Sequence, residues 1–157
     1  MTVNHDSIPR CNCQALRQAT RLVTQLYDQC LAPVGLRVTQ YSILANAARL
    51  GPTTVRDLAD YLVMDRTSLT HNLGPLVRDG LVEVRVGTDR RVREVRLTAV
   101  GKTRLAEARP LWADAQHRFE DSYGKAKALE LRTALGSAVA AVGSAVAGDE
   151  GEGLEAS

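Results

Sequence analysis

Histidine and cysteine are scarce in this chain, and each scarcity excludes a class of function. The three histidines, His5, His71 and His117, form no metal-ligand spacing such as HExxH, and no glycine-rich phosphate loop accompanies them. No catalytic constellation is present, so the chain is expected not to be an enzyme and to carry no cofactor and no metal. The three cysteines, Cys11, Cys13 and Cys30, are an odd number, which argues against a disulfide framework and leaves free thiols, metal ligands or redox centres. The longest uncharged runs are too short to span a bilayer. The opening MTVNHDSIPR lacks a basic start followed by an apolar stretch, so no secretory signal is expected. A cytoplasmic protein with no membrane partner is the expectation.

What is present is an ordinary soluble composition, 45% apolar and 24% charged over 157 residues. That length suits one domain with a real core, or two lobes sharing a continuous helix. The net charge of +2 hides an asymmetry. Residues 85–104 hold seven bases (Arg85, Arg90, Arg91, Arg93, Arg96, Lys102, Arg104) against Asp89 and Glu94, a local excess of five positive charges. Asp149, Glu150, Glu152 and Glu155 near the other end offset it in the sum. A basic patch of this kind suits a polyanion, though a merely solvated face would read the same way.

Residues 1–9 show no period and read as a flexible arm. From Cys13 to Leu31 the positions Leu16, Ala19, Leu22, Val23, Leu26 and Cys30 recur at steps that predict an amphipathic helix, ended by Pro33 and Gly35. Thr39 is placed to cap a second helix carrying Ile43, Leu44, Ala47 and Ala48, up to Gly51-Pro52. Thr53 or Thr54 then caps a short helix with Val55, Leu58, Ala59 and Leu62. After a tight turn Asp65 caps another helix, running to Gly80, with Leu69, Leu73, Leu76 and Val77 inward, and Pro75 is expected to bend it. Two helices joined so closely predict a helix-turn-helix.

Past Gly80 the period changes from 3.6 to 2: Val82, Val84 and Val86 alternate with charged residues, as do Val95 and Leu97, which predicts a hairpin with a charged tip at Gly87 to Arg91. Thr98 caps a long helix through Leu105, Leu111, Trp112, Ala115 and Phe119, kinked or interrupted at Pro110. Gly124 separates a last helix whose Leu131, Leu135, Val139, Val142 and Val146 form a narrow seam suited to a partner helix. The fold class is therefore mainly α with a small β-hairpin wing: a winged helix-turn-helix lobe at about residues 39–98, plus a helical dimerisation lobe from residues 10–32 and 99–147, together one domain over residues 10–147. An acidic tail, residues 148–157, is expected to be disordered.

A helix-turn-helix followed at once by a basic-tipped hairpin divides labour along the geometry of duplex DNA. A helix fits the major groove and reads base edges, while an arginine on a thin loop can enter the minor groove. On the helix face the candidates are Arg66, Thr67, Ser68, Thr70, His71 and Asn72; on the hairpin they are Asp89, Arg90 and Arg91. For each there is a plainer alternative: Asp65 as a helix cap, His71 as a solvent or phosphate contact, Asp89 as a turn residue, Arg90 and Arg91 as a solvated pair.

The run VRDLADYLVMDRTSLTHNLGPLVRDGLVEVRVGTDRRVREVRLTAVGK, with DRTSLT at Asp65 to Thr70, DGLV at residues 79–82, Asp89-Arg90-Arg91 and the Leu97-Thr98-x-x-Gly101 closure, resembles the MarR family of bacterial regulators over residues 13–145. The resemblance implies a homodimer on a pseudo-palindromic double-stranded operator. It places Asp65 to Asn72 at the head of the recognition helix and Arg91 at the wing tip, braced by Asp89. It also implies a repressor released when a small molecule or an oxidant alters the separation of the two recognition helices. The alternative from another class is a non-DNA helical interaction module whose basic hairpin binds an acidic partner.

Cys11 and Cys13 lie at the start of the first helix, where the dipole and unpaired amides favour a thiolate. Within the family this segment is similar to the organic-peroxide-sensing OhrR branch: Cys13 falls on the peroxidatic cysteine, and Tyr27 on one of the tyrosines that hydrogen-bond the thiolate. The similarity departs at Val38 and Arg17, where that branch carries aromatic residues. A soft metal or arsenite on the thiols, and a pair with no sensory role, are the competing readings. Along one helix Cys13 and Cys30 lie about 25 Å apart and cannot share a site within a chain. Cys30 then reads as a small buried apolar residue.

Overall fold

The computed structural model describes residues 10–152, with side chains through Val146; the expected arm at residues 1–9 and the last five residues lie outside that range. The described chain divides between Gln116 and His117 into two units.

In the first unit, helix α1 (Asn12–Leu31) buries only its second half, where Tyr27, Cys30 and Leu31 turn inward. Leu16 and Leu22, on the predicted apolar face, remain about half exposed at 48% and 52%. A single 3-10 turn, Ala32–Val34, closes at Gly35, whose φ of 68° lies in the left-handed region that glycine enters without a Cβ clash. Helix α2 (Val38–Leu50) follows. Its cap is not Thr39 but Arg37, which is extended, and the orphan amides of the first turn are met by other side chains. Gln40 Oε1 accepts from the Arg37 N–H at 2.9 Å, and Asp28 Oδ1, from α1, accepts from the Val38 N–H at 2.7 Å.

Thr53–Thr54 form a short strand, β1, before helix α3 (Val55–Leu62). Thr54 is also the cap of α3, its Oγ1 accepting from the Asp57 N–H at 2.9 Å. The turn into helix α4 (Arg66–Arg78) passes through Val63, the single non-glycine residue of positive φ (52°) among the described residues. Pro75 sits inside α4, which nevertheless continues to Arg78. Leu69, Leu73 and Leu76 are buried as expected; Val77, one residue past the stripe, is 42% exposed rather than inward.

Strands β2 (Val82–Val86) and β3 (Arg93–Leu97) make the hairpin, and β1 adds to the free edge of β3, so the antiparallel order is β1-β3-β2. Register places Val84 opposite Val95 and Glu83 opposite Arg96. The core of the unit gathers Leu31, Ile43, Leu44, Leu58, Leu69, Leu76, Val82 and Val95.

Helix α5 (Ala99–Tyr123) begins at a tight junction with the hairpin base. Thr98 Oγ1 accepts from the Gly101 N–H at 2.9 Å and donates to the Gly80 carbonyl at 2.6 Å. Gly101 lies so close beneath Leu81 that a Cβ there would stand 2.0 Å from the Leu81 carbonyl oxygen. Of the kink or interruption expected at Pro110, the interruption is absent: one amide is lost, but α5 runs on through it, with Leu105, Ala108 and Ala115 buried on either side. The indole of Trp112 stacks on Tyr41 with ring centres 5.7 Å apart.

The second unit holds the end of α5 and helix α6 (Lys125–Glu152), joined at Gly124 with φ 100°. Glu120 and Arg132 pair across the joint at 3.3 Å. Ala128 is buried, but Leu135, Val139, Val142 and Val146 of the expected seam are exposed. Lys125–Val146, with a mean hydropathy of 1.2, is long and apolar enough to cross a membrane by length and composition, contrary to the expectation that no stretch would be. An exposed stripe awaiting another helix gives the same composition. Backbone helix persists to Glu152, into the stretch expected to be disordered.

Candidate nucleic-acid interface

The head of α4 is organised by Asp65. Its backbone is extended, its Oδ1 accepts from the Ser68 N–H at 2.8 Å, and its Oδ2 accepts from the Ser68 hydroxyl at 2.6 Å. The Ser68 hydroxyl, and after it the backbone amide, hold this carboxyl below its ordinary value of 3.8, so it is charged at neutral pH. Asp65 is thus the cap that its alternative reading supposed.

Three of the polar side chains singled out on α4 donate within the helix. Besides Ser68, the Thr70 hydroxyl donates to the Arg66 carbonyl at 2.7 Å, and the Asn72 amide donates to the Ser68 carbonyl at 2.8 Å. Arg66, Thr67 and His71 are exposed, and together with Thr70 they line a concavity of about 420 Å³.

In the hairpin the turn is closed by bonds from the Gly87 N–H to the Val92 carbonyl and from the Val92 N–H to the Asp89 carbonyl, both 2.9 Å. Asp89 Oδ1 accepts from the Arg91 N–H at 2.9 Å. Asp89 therefore braces Arg91 through its backbone, as Asx turns do, and leaves the guanidinium to extend. The basic window resolves into two classes. Arg85 is paired with Glu83 at 2.7 Å and Arg96 with Glu94 at 3.1 Å on one face of the ribbon. Arg104 serves the fold, donating to the Val34 carbonyl at 2.8 Å and meeting Glu107 at 3.3 Å. Arg90, Arg91 and Arg93 have no ion-pair partner among the described residues and are exposed. Arg91 and Arg66, from turn and helix, line one cleft of about 500 Å³ that also takes in Arg56 and Arg93. The sequence counts Arg93 in the basic window without marking it as a contact residue, and it gives no signal for Arg56; the pairing of β1 with β3 brings the two together.

The thiols are placed otherwise. Cys11 occupies the cap position of α1 without a side-chain cap bond, and it and Cys13 are exposed. Tyr27 lies about 21 Å along α1 from Cys13 at ~1.5 Å per residue, and its hydroxyl donates to Gln116 Oε1, so within one chain it does not reach that thiol. Cys30 is buried with Sγ 3.7 Å from Asp114 Oδ2. Among the described residues no group of three or more His, Cys, Asp or Glu could hold a metal. A further concavity of about 700 Å³ runs along α1 and the start of α2, lined by Arg21, Thr24, Asp28, Leu36 and Arg37 among others.

Residues 34–92 match the family model of the MarR family. The M. tuberculosis transcriptional regulator MosR, in its crystal structure with DNA, is similar at 38% identity and a TM-score of 0.75, over 85% of this chain and 98% of that one. The chain belongs to the MarR family. YwoH, an HTH-type transcriptional regulator of Bacillus subtilis (strain 168), is 29% identical over 92 residues, spanning 59% of this chain and 67% of YwoH. CouR of Rhodococcus jostii RHA1, crystallised with p-coumaroyl-CoA, has the same fold at 21% identity and a TM-score of 0.70. This MarR chain is a transcriptional regulator, mostly helical with a small three-stranded antiparallel sheet, as its winged-helix relatives are.

Proposed function

We propose that two copies of this regulator bind a pseudo-palindromic duplex operator and repress by occupying it. In this reading Arg66, Thr67, Thr70 and His71 face the base edges, Ser68 and Asn72 hold the helix that presents them, and Arg90 and Arg91 enter the flanking minor groove from a turn shaped by Asp89. The observation that carries it is the joining of a free helix face and a free arginine turn across one cleft. The DNA complex of the M. tuberculosis relative supports it. The exposed seam of α6 and the exposed half of α1 supply the apolar surface for the second copy. The protein acts in the cytoplasm, without catalysis.

The test is binding to the duplex upstream of its own gene and to a scrambled duplex over a series of salt concentrations. Specific recognition retains a sequence-dependent part after the phosphate attraction is screened. Arg91→Ala should weaken specific binding by about 1–3 kcal/mol. Equal affinity for both duplexes at every salt concentration leaves the acidic-partner reading in its place.

Release is assigned to an effector or to oxidation at Cys11 and Cys13, supported by their exposure at the start of α1. Titrating the operator complex with an organic hydroperoxide, wild type beside Cys13→Ser, decides: indistinguishable release curves remove the thiol from the mechanism and leave a small-molecule effector.

A further inference from the structure

We propose that the cleft between α4 and the wing seats a backbone phosphate of the duplex, and that Arg56 and Arg93 are the residues that position DNA there. This rests on the duplex-binding reading above and adds to it the grip on the backbone.

Four guanidinium groups from four different parts of the chain line this single cleft: Arg56 from α3, Arg66 from α4, Arg91 from the wing turn and Arg93 from the start of β3. One carboxylate, Asp57, lines it with them. Arg66, Arg91 and Arg93 have no ion-pair partner among the described residues. Arg56 has Asp60 at 3.8 Å, but both side chains are about 70% exposed (71% and 69%), so that pair is weak and readily exchanged.

The other face of the same ribbon shows the contrast. There each arginine is answered by a glutamate, Arg85 by Glu83 and Arg96 by Glu94. Register puts Arg93 opposite Val86, on the opposite side of the pleat from those pairs. The ribbon is thus neutralised where it faces away from α4 and left positive where it faces the cleft.

Four like charges gathered with one carboxylate among them raise each other's energy, and an anion between them lowers that cost. Guanidinium forks match phosphate oxygens two at a time. A duplex with α4 in one groove and the wing in the next must run a strand of its backbone between the two elements, and the cleft lies there. Contacts to that strand fix register and orientation without reading sequence.

The distinction sets the experiment. Full-length wild type, Arg56→Gln, Arg93→Gln and, as control, Arg85→Gln are titrated with operator and scrambled duplex across a salt series, and circular dichroism checks that each is folded. Arg56→Gln and Arg93→Gln should weaken both duplexes by the same factor, leave the specificity ratio unchanged, and each lower the slope of log affinity against log salt by about 0.9, one phosphate contact. Arg85→Gln should change none of these. Unchanged slopes in both cleft variants, beside a wild type that selects its operator, overturn the phosphate seat alone. A loss confined to the operator shows base reading and overturns it as well. A wild type that binds neither duplex overturns this site together with the reading beneath it.

Discussion

The winged-helix unit and α6 put similar aliphatic side chains to opposite uses. In the first, Leu58 of α3, Leu69 of α4 and Val95 of β3 are fully buried, because helices and sheet from one chain close over them. In α6, Val139, Val142 and Val146 stand 53–60% exposed in a row. A helix can carry the same periodic stripe in both settings; whether it is core or interface depends on whether the chain itself brings up an opposing surface. The stripe on α6 has no opposing surface within its own unit, and the proposal above gives it to the second copy.

Four variants probe this contrast, and the single tryptophan, Trp112, reports on the first unit because it is stacked on Tyr41 there. Gly101→Ala should do the greatest harm. Its Cβ meets a backbone carbonyl that no rotamer change can move, so urea unfolding followed by Trp112 fluorescence should show a loss above the ~3 kcal/mol usual for overpacked cores. A near-normal midpoint would mean that the junction of wing and α5 can open to admit a methyl group between Gly101 and Leu81.

Thr98→Ala comes next, at about 1–2 kcal/mol in the same assay, since it removes an accepted and a donated bond from one junction. Asp65→Ala is smaller and depends on pH. Because this carboxyl titrates lower in the folded chain than its ordinary 3.8, its contribution is whole above that value and is lost as pH falls through the folded one. The gap in melting temperature between wild type and variant should therefore close as the buffer is acidified below 3.8; a gap that persists there would show that the cap works without its charge. Last, Val139→Asp combined with Val142→Asp should leave Trp112-monitored stability within ~0.5 kcal/mol, as exposed changes do, while sedimentation shows the assembly falling apart. A collapse of the first unit in this variant would erase the contrast between the two.

Helix periods, the hairpin and the Asp65 cap were legible in the sequence because each is a local signal repeated over several residues. Thr53–Thr54 was not legible as a strand, since two residues cannot display a period and the pairing comes from β3. Thr39 was read as a cap by residue type, but the amides there are met by Gln40 and by Asp28 from another helix, a tertiary arrangement. Val77 belongs to the helical pattern yet lies outside the side that α4 buries. At the candidate interface, composition counted Arg85, Arg96 and Arg104 as part of one basic patch, whereas register and packing pair them with Glu83, Glu94 and Glu107. It could not count Arg56, which comes into the cleft from α3. Likewise polarity marks Ser68, Thr70 and Asn72, but their donors turn back onto α4 and its cap, which residue type alone does not foretell.

The carboxylate of Asp28 also sets a limit on dissection. Helix α2 starts on an acceptor that belongs to α1, and Leu31 of α1 is fully buried in the core beneath the reading head. A fragment trimmed to residues 34–92, the span shared with the family at large, would forfeit both. It would leave the amide of Val38 without its partner and open a leucine-sized void in the core cluster. The smallest excisable DNA-reading piece of this protein therefore has to begin upstream of Asp28.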